Sequence, residues 1–125
     1  MQIKESAENY LEAILMLKNK KGYVRSIDVA NELNFSKPSV SVAMKHFRED
    51  GYITIAEDGG ITLTEKGMEI ALRIYERHQV IASFLMHLGV SPDTAYEDSC
   101  KIEHDIGTET FEKLKVHLEK LKKEI

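Results

Sequence analysis

The stretch Ser26-Ile27-Asp28-Val29-Ala30-Asn31-Glu32-Leu33-Asn34-Phe35-Ser36-Lys37-Pro38-Ser39-Val40-Ser41-Val42-Ala43-Met44-Lys45-His46-Phe47 decides the fold. Ser26 reads as the N-cap of a helix that places Ile27, Val29, Ala30 and Leu33 at helical spacing. Asn34-Phe35-Ser36-Lys37-Pro38 breaks it, and Ser36 or Lys37 with Pro38 opens a second helix through Val40, Ala43, Met44 and Phe47. Asp50-Gly51 stops that helix. Tyr52-Ile53-Thr54-Ile55-Ala56 and Ile61-Thr62-Leu63-Thr64 are β-rich runs around Glu57-Asp58-Gly59-Gly60, whose Asp-Gly pair signals a hairpin turn. Two helices about a short break, followed by a hairpin, make a winged helix-turn-helix with the hairpin as wing.

On the N-terminal side, residues near 5–19 read as a helix with Ile3, Tyr10, Leu11, Ile14, Leu15 and Leu17 on its apolar face. Lys18-Asn19-Lys20-Lys21-Gly22 ends it. On the C-terminal side, one long helix is predicted from Glu65 to about Leu88, with Ile70, Ile74, Ile81, Phe84, Leu85 and Leu88 recurring and Gly89 as the stop. Ser91-Pro92 opens a helix that carries Cys100 to Ile106. Gly107-Thr108 breaks it, and a last helix runs from about Glu109 with Phe111, Leu114, Leu118 and Leu121 as its stripe. The expected fold is mainly α with a small β-hairpin: a winged helix-turn-helix over residues 1–64 and a helical domain over 65–125.

Composition fits an ordinary globular chain: 125 residues, 42% hydrophobic and 30% charged, with two prolines and no tryptophan. One cysteine allows no intrachain disulfide and suits a reducing compartment. No segment approaches the roughly 18 apolar residues of a membrane span, and Met1-Gln2-Ile3-Lys4-Glu5 lacks a signal-peptide core. A cytoplasmic protein without a membrane partner is expected. The net charge of −4 argues against indiscriminate coating of nucleic acid. It leaves room for a specific reader, because local basic patches govern phosphate contact.

In a helix-turn-helix the second helix enters the major groove by its N-terminal residues. Here these are Ser36, Lys37, Pro38, Ser39 and Ser41, with Lys45 further along and Arg25 at the start of the preceding helix as a backbone contact. The hydroxyls and lysines suit phosphates and base edges, whereas Val40, Ala43, Met44 and Phe47 read as core. Glu57 and Asp58 make the wing acidic, which opposes phosphate and suits a winged helix used for protein contacts.

Cys100, Glu103 and His104 stand at i, i+3 and i+4, so a helix puts thiol, carboxylate and imidazole on one face. Taken alone, the turn fits equally a transition-metal half-site and a buried cysteine beside two surface polar residues. Asn9 and Glu12 share a face of the first helix, and His78 sits mid-way along the long helix. If those helices pack together, the six groups can form one closed site. His46, His87 and His117 show no such partners. Two rival functions use the same residues: a Cys/His or metal hydrolase with a Cys100–His104 pair, and a redox-sensing regulator that uses Cys100 without metal. The hydrolase lacks any recognisable oxyanion loop.

Nearly the whole chain resembles the diphtheria-toxin-repressor family of metal-dependent transcriptional regulators, with its iron- and manganese-sensing branches. The resemblance runs through Glu8-Asn9-Tyr10-Leu11-Glu12, Val29-Ala30-Asn31-Glu32-Leu33, Ser36-Lys37-Pro38-Ser39-Val40-Ser41 and Asp50-Gly51-Tyr52. It continues in Leu63-Thr64-Glu65-Lys66-Gly67, Arg77-His78 and Cys100-Lys101-Ile102-Glu103-His104. It implies a homodimer, through the C-terminal helical domain, on double-stranded and palindromic operator DNA. It also implies repression of metal-uptake genes and no enzymatic activity. Asn9, Glu12, His78, Cys100, Glu103 and His104 occupy the family's ligand positions. Cys100 matches the iron branch and Glu12 the manganese branch, while Asn9 stands where the one has Met and the other Asp. Ala82 and Tyr96 replace ancillary ligands of the iron branch. The chain stops before the SH3-like domain that some members carry, so a short form is expected. A thiolate favours softer ions. Fe(II) is therefore the favoured divalent ion and Mn(II) the next, with Zn(II), Co(II) or Ni(II) as further candidates.

Overall fold

The computed structural model describes residues 5–123, so Ile3, counted in the apolar face of the first helix, lies outside the described residues. In chain order they form α1 (Glu5–Lys21), α2 (Ser26–Leu33), α3 (Lys37–Glu49), β1 (Ile53–Ile55), β2 (Ile61–Leu63), α4 (Glu65–His87), α5 (Pro92–Ile102) and α6 (Thr108–Lys123). The expected class is borne out: mainly α with one small antiparallel hairpin. No described helix is long and apolar enough to cross a membrane. Contacts separate two compact units, Met1–Arg73 and Ile74–Ile125, divided inside α4.

In the N-terminal unit α1 packs on α2 and β2, α2 on α3, and α3 on β1. Leu11, Ile14, Val24, Val29, Val40, Met44, Ile53 and Ile61 are almost wholly withdrawn from water and form its core. The hairpin alternates as a half-buried sheet must: Ile53 and Ile61 point inward while Thr54 and Thr62 are exposed. Asn34 adopts a left-handed conformation (φ 58°) at the end of α2, which makes the tight break before α3. Ser36 caps α3, its hydroxyl accepting from the Ser39 amide at 3.3 Å, and Pro38 sits in the first turn. The cap of α2 differs from expectation. Arg25, not Ser26, is the N-cap, because the Asp28 carboxylate reaches back to accept from the Arg25 amide at 2.9 Å and so draws Ser26 into the first turn.

The hairpin joins α4 through a compact junction. The Thr64 hydroxyl donates to the Gly51 carbonyl at 2.6 Å and accepts from the Gly67 amide at 3.2 Å, so Thr64 caps α4. Lys66 donates to the Asp50 carbonyl at 3.2 Å and lies 4.3 Å above the Tyr52 ring. A Cβ on Gly67 would collide with the Tyr52 carbonyl oxygen, so only glycine lets the helix approach the hairpin this closely.

In the C-terminal unit Ile74, Ile81, Ala82, Ala95, Phe111 and Leu118 are buried. Gly89, at φ 100°, ends α4, and Val90 donates back to the Leu85 carbonyl at 3.0 Å. Ser91 and Pro92 open α5 as the sequence suggests. That helix stops at Ile102 rather than Ile106, and residues 103–106 form a turn. The Arg77 guanidinium donates to the Ile106 carbonyl at 2.6 Å, which ties this turn to α4.

The Asp28 carboxyl is held below the usual carboxylate range, first by the Arg25 amide and then, against some desolvation, by Lys21 at 3.2 Å. Its folded pKa is depressed, so its contribution is present above the unfolded value and is lost as pH falls through the folded one. Asp28→Asn should lower unfolding free energy by about 1 kcal/mol at neutral pH. Urea midpoints of variant and parent should converge at strongly acidic pH; equal midpoints at pH 7 would remove the cap.

Candidate metal centre and DNA-reading surface

His78, from the middle of α4, is buried at 6% exposure. Its Nε2 lies 3.2 Å from the Tyr96 carbonyl and 3.4 Å from Cys100 Sγ, with Nδ1 3.9 Å from the same sulfur. A carbonyl only accepts, so that contact makes Nε2 the protonated nitrogen and leaves the lone pair on Nδ1. The Tyr96 ring stands edge-on to the imidazole, with centroids 5.6 Å apart.

Glu103 has no exposure to water, and His78 and Glu103 offer donor atoms within 4.8 Å of each other. Glu103 is the residue that ends α5, its amide bonded to the Ser99 carbonyl at 3.0 Å. It therefore keeps its place above Cys100 even though the helix stops short. His104 lies in the turn beyond. Its side chain is only 3% exposed, and Nε2 is 3.4 Å from Glu103 Oε1. Cys100 itself is exposed, which removes the reading of a buried structural cysteine. The C-terminal unit thus gathers a thiol, a carboxylate and two imidazoles around one end of α5, a donor set of mixed softness suited to a divalent transition ion.

In the N-terminal unit, Asn9 and Glu12 lie one turn apart on α1, Asn9 half-buried and Glu12 6% exposed. Ala82 is fully buried, and Tyr96 faces His78 with its backbone and ring rather than with its hydroxyl. Arg77, quoted in the sequence only as part of the family resemblance, also has a place at the site. Its guanidinium holds the Ile106 carbonyl and lies 5.2 Å from the Phe111 ring centre, which fixes the turn carrying Glu103 and His104. Its adjacency to His78 was the available signal.

On α3, Val40 and Met44 are buried and Phe47 nearly so, leaving the opposite face in water. Ala43, expected in the core, is half-buried. Ser36, Lys37, Pro38, Ser39, Ser41 and Lys45 are all exposed, as is Arg25. The Ser36 hydroxyl is engaged as the cap and donates to Ser39 Oγ at 2.8 Å. Lys37 and Ser41 line a cleft of about 180 Å³ with Ser26 and Ile27. Val42 and Arg48 share the exposed side of α3 and have no signature in the sequence that sets them apart.

Residues 2–61 match the iron dependent repressor N-terminal DNA binding domain, and residues 64–124 match the iron dependent repressor metal binding and dimerisation domain. An HTH-type transcriptional regulator of Methanocaldococcus jannaschii is 37% identical over 97% of this chain and 98% of its own length. The transcriptional regulator MntR of Escherichia coli is 33% identical over 94% of this chain and 76% of its own. The structure of the manganese regulator SloR superposes with a TM-score of 0.77 at 28% identity, covering 95% of this chain and 55% of that one, so this chain spans about half its length. The chain belongs to the iron-dependent (diphtheria-toxin-type) repressor family, with a DNA-binding and a metal-binding, dimerising domain.

Proposed function

We propose that the chain is a cytoplasmic, metal-responsive repressor that binds palindromic operator DNA as a homodimer, with one winged helix on each half-site. The ligands in this reading are His78, Cys100, Glu103 and His104 from the C-terminal unit, with Glu12 and Asn9 from α1. The observation that carries it is the buried pair His78 and Glu103, whose donor atoms lie within 4.8 Å of each other, with Cys100 Sγ 3.4 Å from His78 Nε2. A domain boundary at residues 64/65 belongs to the same reading; it coincides with the start of α4.

A divalent ion held by these groups supplies the positive charge that buried carboxylates require. The chain does the rest. The Tyr96 carbonyl fixes the His78 tautomer and leaves Nδ1 as the donor nitrogen. Arg77 holds the turn that presents Glu103 and His104. Glu12 and Asn9 stand on the helix under the DNA-reading module, so binding at this set biases the N-terminal unit. Such a bias changes DNA affinity only as far as the ion prefers the DNA-competent state. Fe(II) is favoured because Cys100 contributes a thiolate; Glu12, Glu103 and the Asn9 oxygen keep Mn(II) as the next choice.

Glu103→Gln should abolish metal-dependent operator binding, read by fluorescence anisotropy under anaerobic Fe(II) and Mn(II) titration, while circular dichroism stays unchanged. A variant with the parent's metal response would remove Glu103 from the site. Lys37→Ala should weaken operator binding and make the salt slope shallower by about 1, with metal affinity unaltered. An unchanged slope would exclude Lys37 as a phosphate contact.

A further inference from the structure

The wing carries two neighbouring carboxylates, Glu57 and Asp58, at the turn of an element that stands beside the reading helix. By charge alone they oppose docking on phosphate. The structure treats the two differently. Asp58 Oδ1 accepts from the Gly60 amide at 3.0 Å, which folds the carboxylate back over the turn. The Tyr23 ring closes on the same glycine: a Cβ at Gly60 would lie 2.8 Å from Tyr23 Cε2, 3.1 Å from the Tyr23 hydroxyl oxygen and 3.2 Å from Asp58 Oδ1. Arg25 covers Gly59, where a Cβ would lie 3.2 Å from Nε. Gly59 also has φ 89°, a backbone conformation that favours glycine. Ile61 donates to the Val24 carbonyl at 2.7 Å, which ties the base of the wing to the segment carrying Tyr23 and Arg25.

Tyr23 is 46% exposed, more than packing a ring would require. Its hydroxyl oxygen and Asp58 Oδ1 both lie against Gly60, and the interaction with Asp58 raises the Tyr23 pKa. The Gly60 amide first, and the Tyr23 hydroxyl next, lower that of Asp58, and the Arg25 charge acts in the same direction.

We propose that Tyr23 and Arg25 are positioning residues for DNA binding, which hold Asp58 inside the wing turn and offset its charge so that the wing meets phosphate without a free Asp58 carboxylate. This assigns Arg25 a role through the wing, beside the direct phosphate contact read from the sequence. The inference rests on the chain binding DNA as proposed above.

Tyr23→Phe removes one hydroxyl and keeps the ring. With a duplex selected from random sequence by the parent protein in Mn(II), Tyr23→Phe should weaken binding about fivefold. Asp58→Asn keeps an acceptor for the Gly60 amide and removes the charge. In the Tyr23→Phe background it should restore affinity to within about twofold of the parent. Amide exchange at Gly60, measured without DNA or metal, should quicken in Tyr23→Phe. A double variant as weak as Tyr23→Phe would overturn the inference, since a purely structural tyrosine is not rescued by removing a charge. Unaltered affinity or unaltered Gly60 exchange in Tyr23→Phe would do the same. Failure of the parent to select any duplex would instead sink the DNA-binding function, and the exchange rates would still judge the contact.

Discussion

Glu103 is a carboxylate taken wholly out of water, and the C-terminal unit is organised around holding it there. Desolvating a charge costs several kcal/mol unless it is compensated. Around Glu103 the chain departs from plain apolar packing. The helix ends at Ile102, His104 turns its ring to within 3.4 Å of the carboxylate, and Arg77 holds the turn through the Ile106 carbonyl. His78 is buried nearby and oriented by a backbone carbonyl. A small helical unit that gathers so many polar groups at one place gives up stability that aliphatic side chains would supply. Natural sequences do this at functional sites.

The N-terminal unit follows the opposite logic. Its core is aliphatic, and its polar groups cap helices or face water. Thr64 and Gly67 bind the start of α4 to the hairpin, and Asp28 and Ser36 fix the starts of α2 and α3. The reading helix therefore has a fixed buried side, and the exposed serines and lysines take their direction from it. The wing adds a second device: its turn is shaped by residues from the α1–α2 connection, which controls where an acidic tip places its charge.

Much of this is legible in the sequence. Helix periodicity, Ser36-Lys37-Pro38 and Asp58-Gly59 locate α3 and the hairpin because capping and turn chemistry are local. The α2 cap was harder, since Arg25 is not a capping type; the signal lay in Asp28, three positions on. The end of α5 was not readable, because nothing before Gly107 breaks helical spacing and the bond that holds the following turn comes from Arg77 on another helix. His78 and Glu12 have no local signature either. A single histidine or glutamate in a helix looks like surface; helical spacing offers them as ligands only on the condition that their helices pack together, and the family resemblance then assigns them ligand positions. The contacts of Tyr23 and Arg25 with the wing join segments far apart in sequence and had no counterpart in any spacing.

A metal-responsive repressor must couple two binding equilibria, and linkage makes that coupling reciprocal. The most direct measurement is anaerobic calorimetric titration of Fe(II) and Mn(II) into the dimer, with and without saturating operator duplex. Coupled binding predicts that operator tightens the ion's affinity by the same factor by which the ion tightens DNA binding. Equal metal affinity in the two titrations, alongside measurable metal binding, would contradict it.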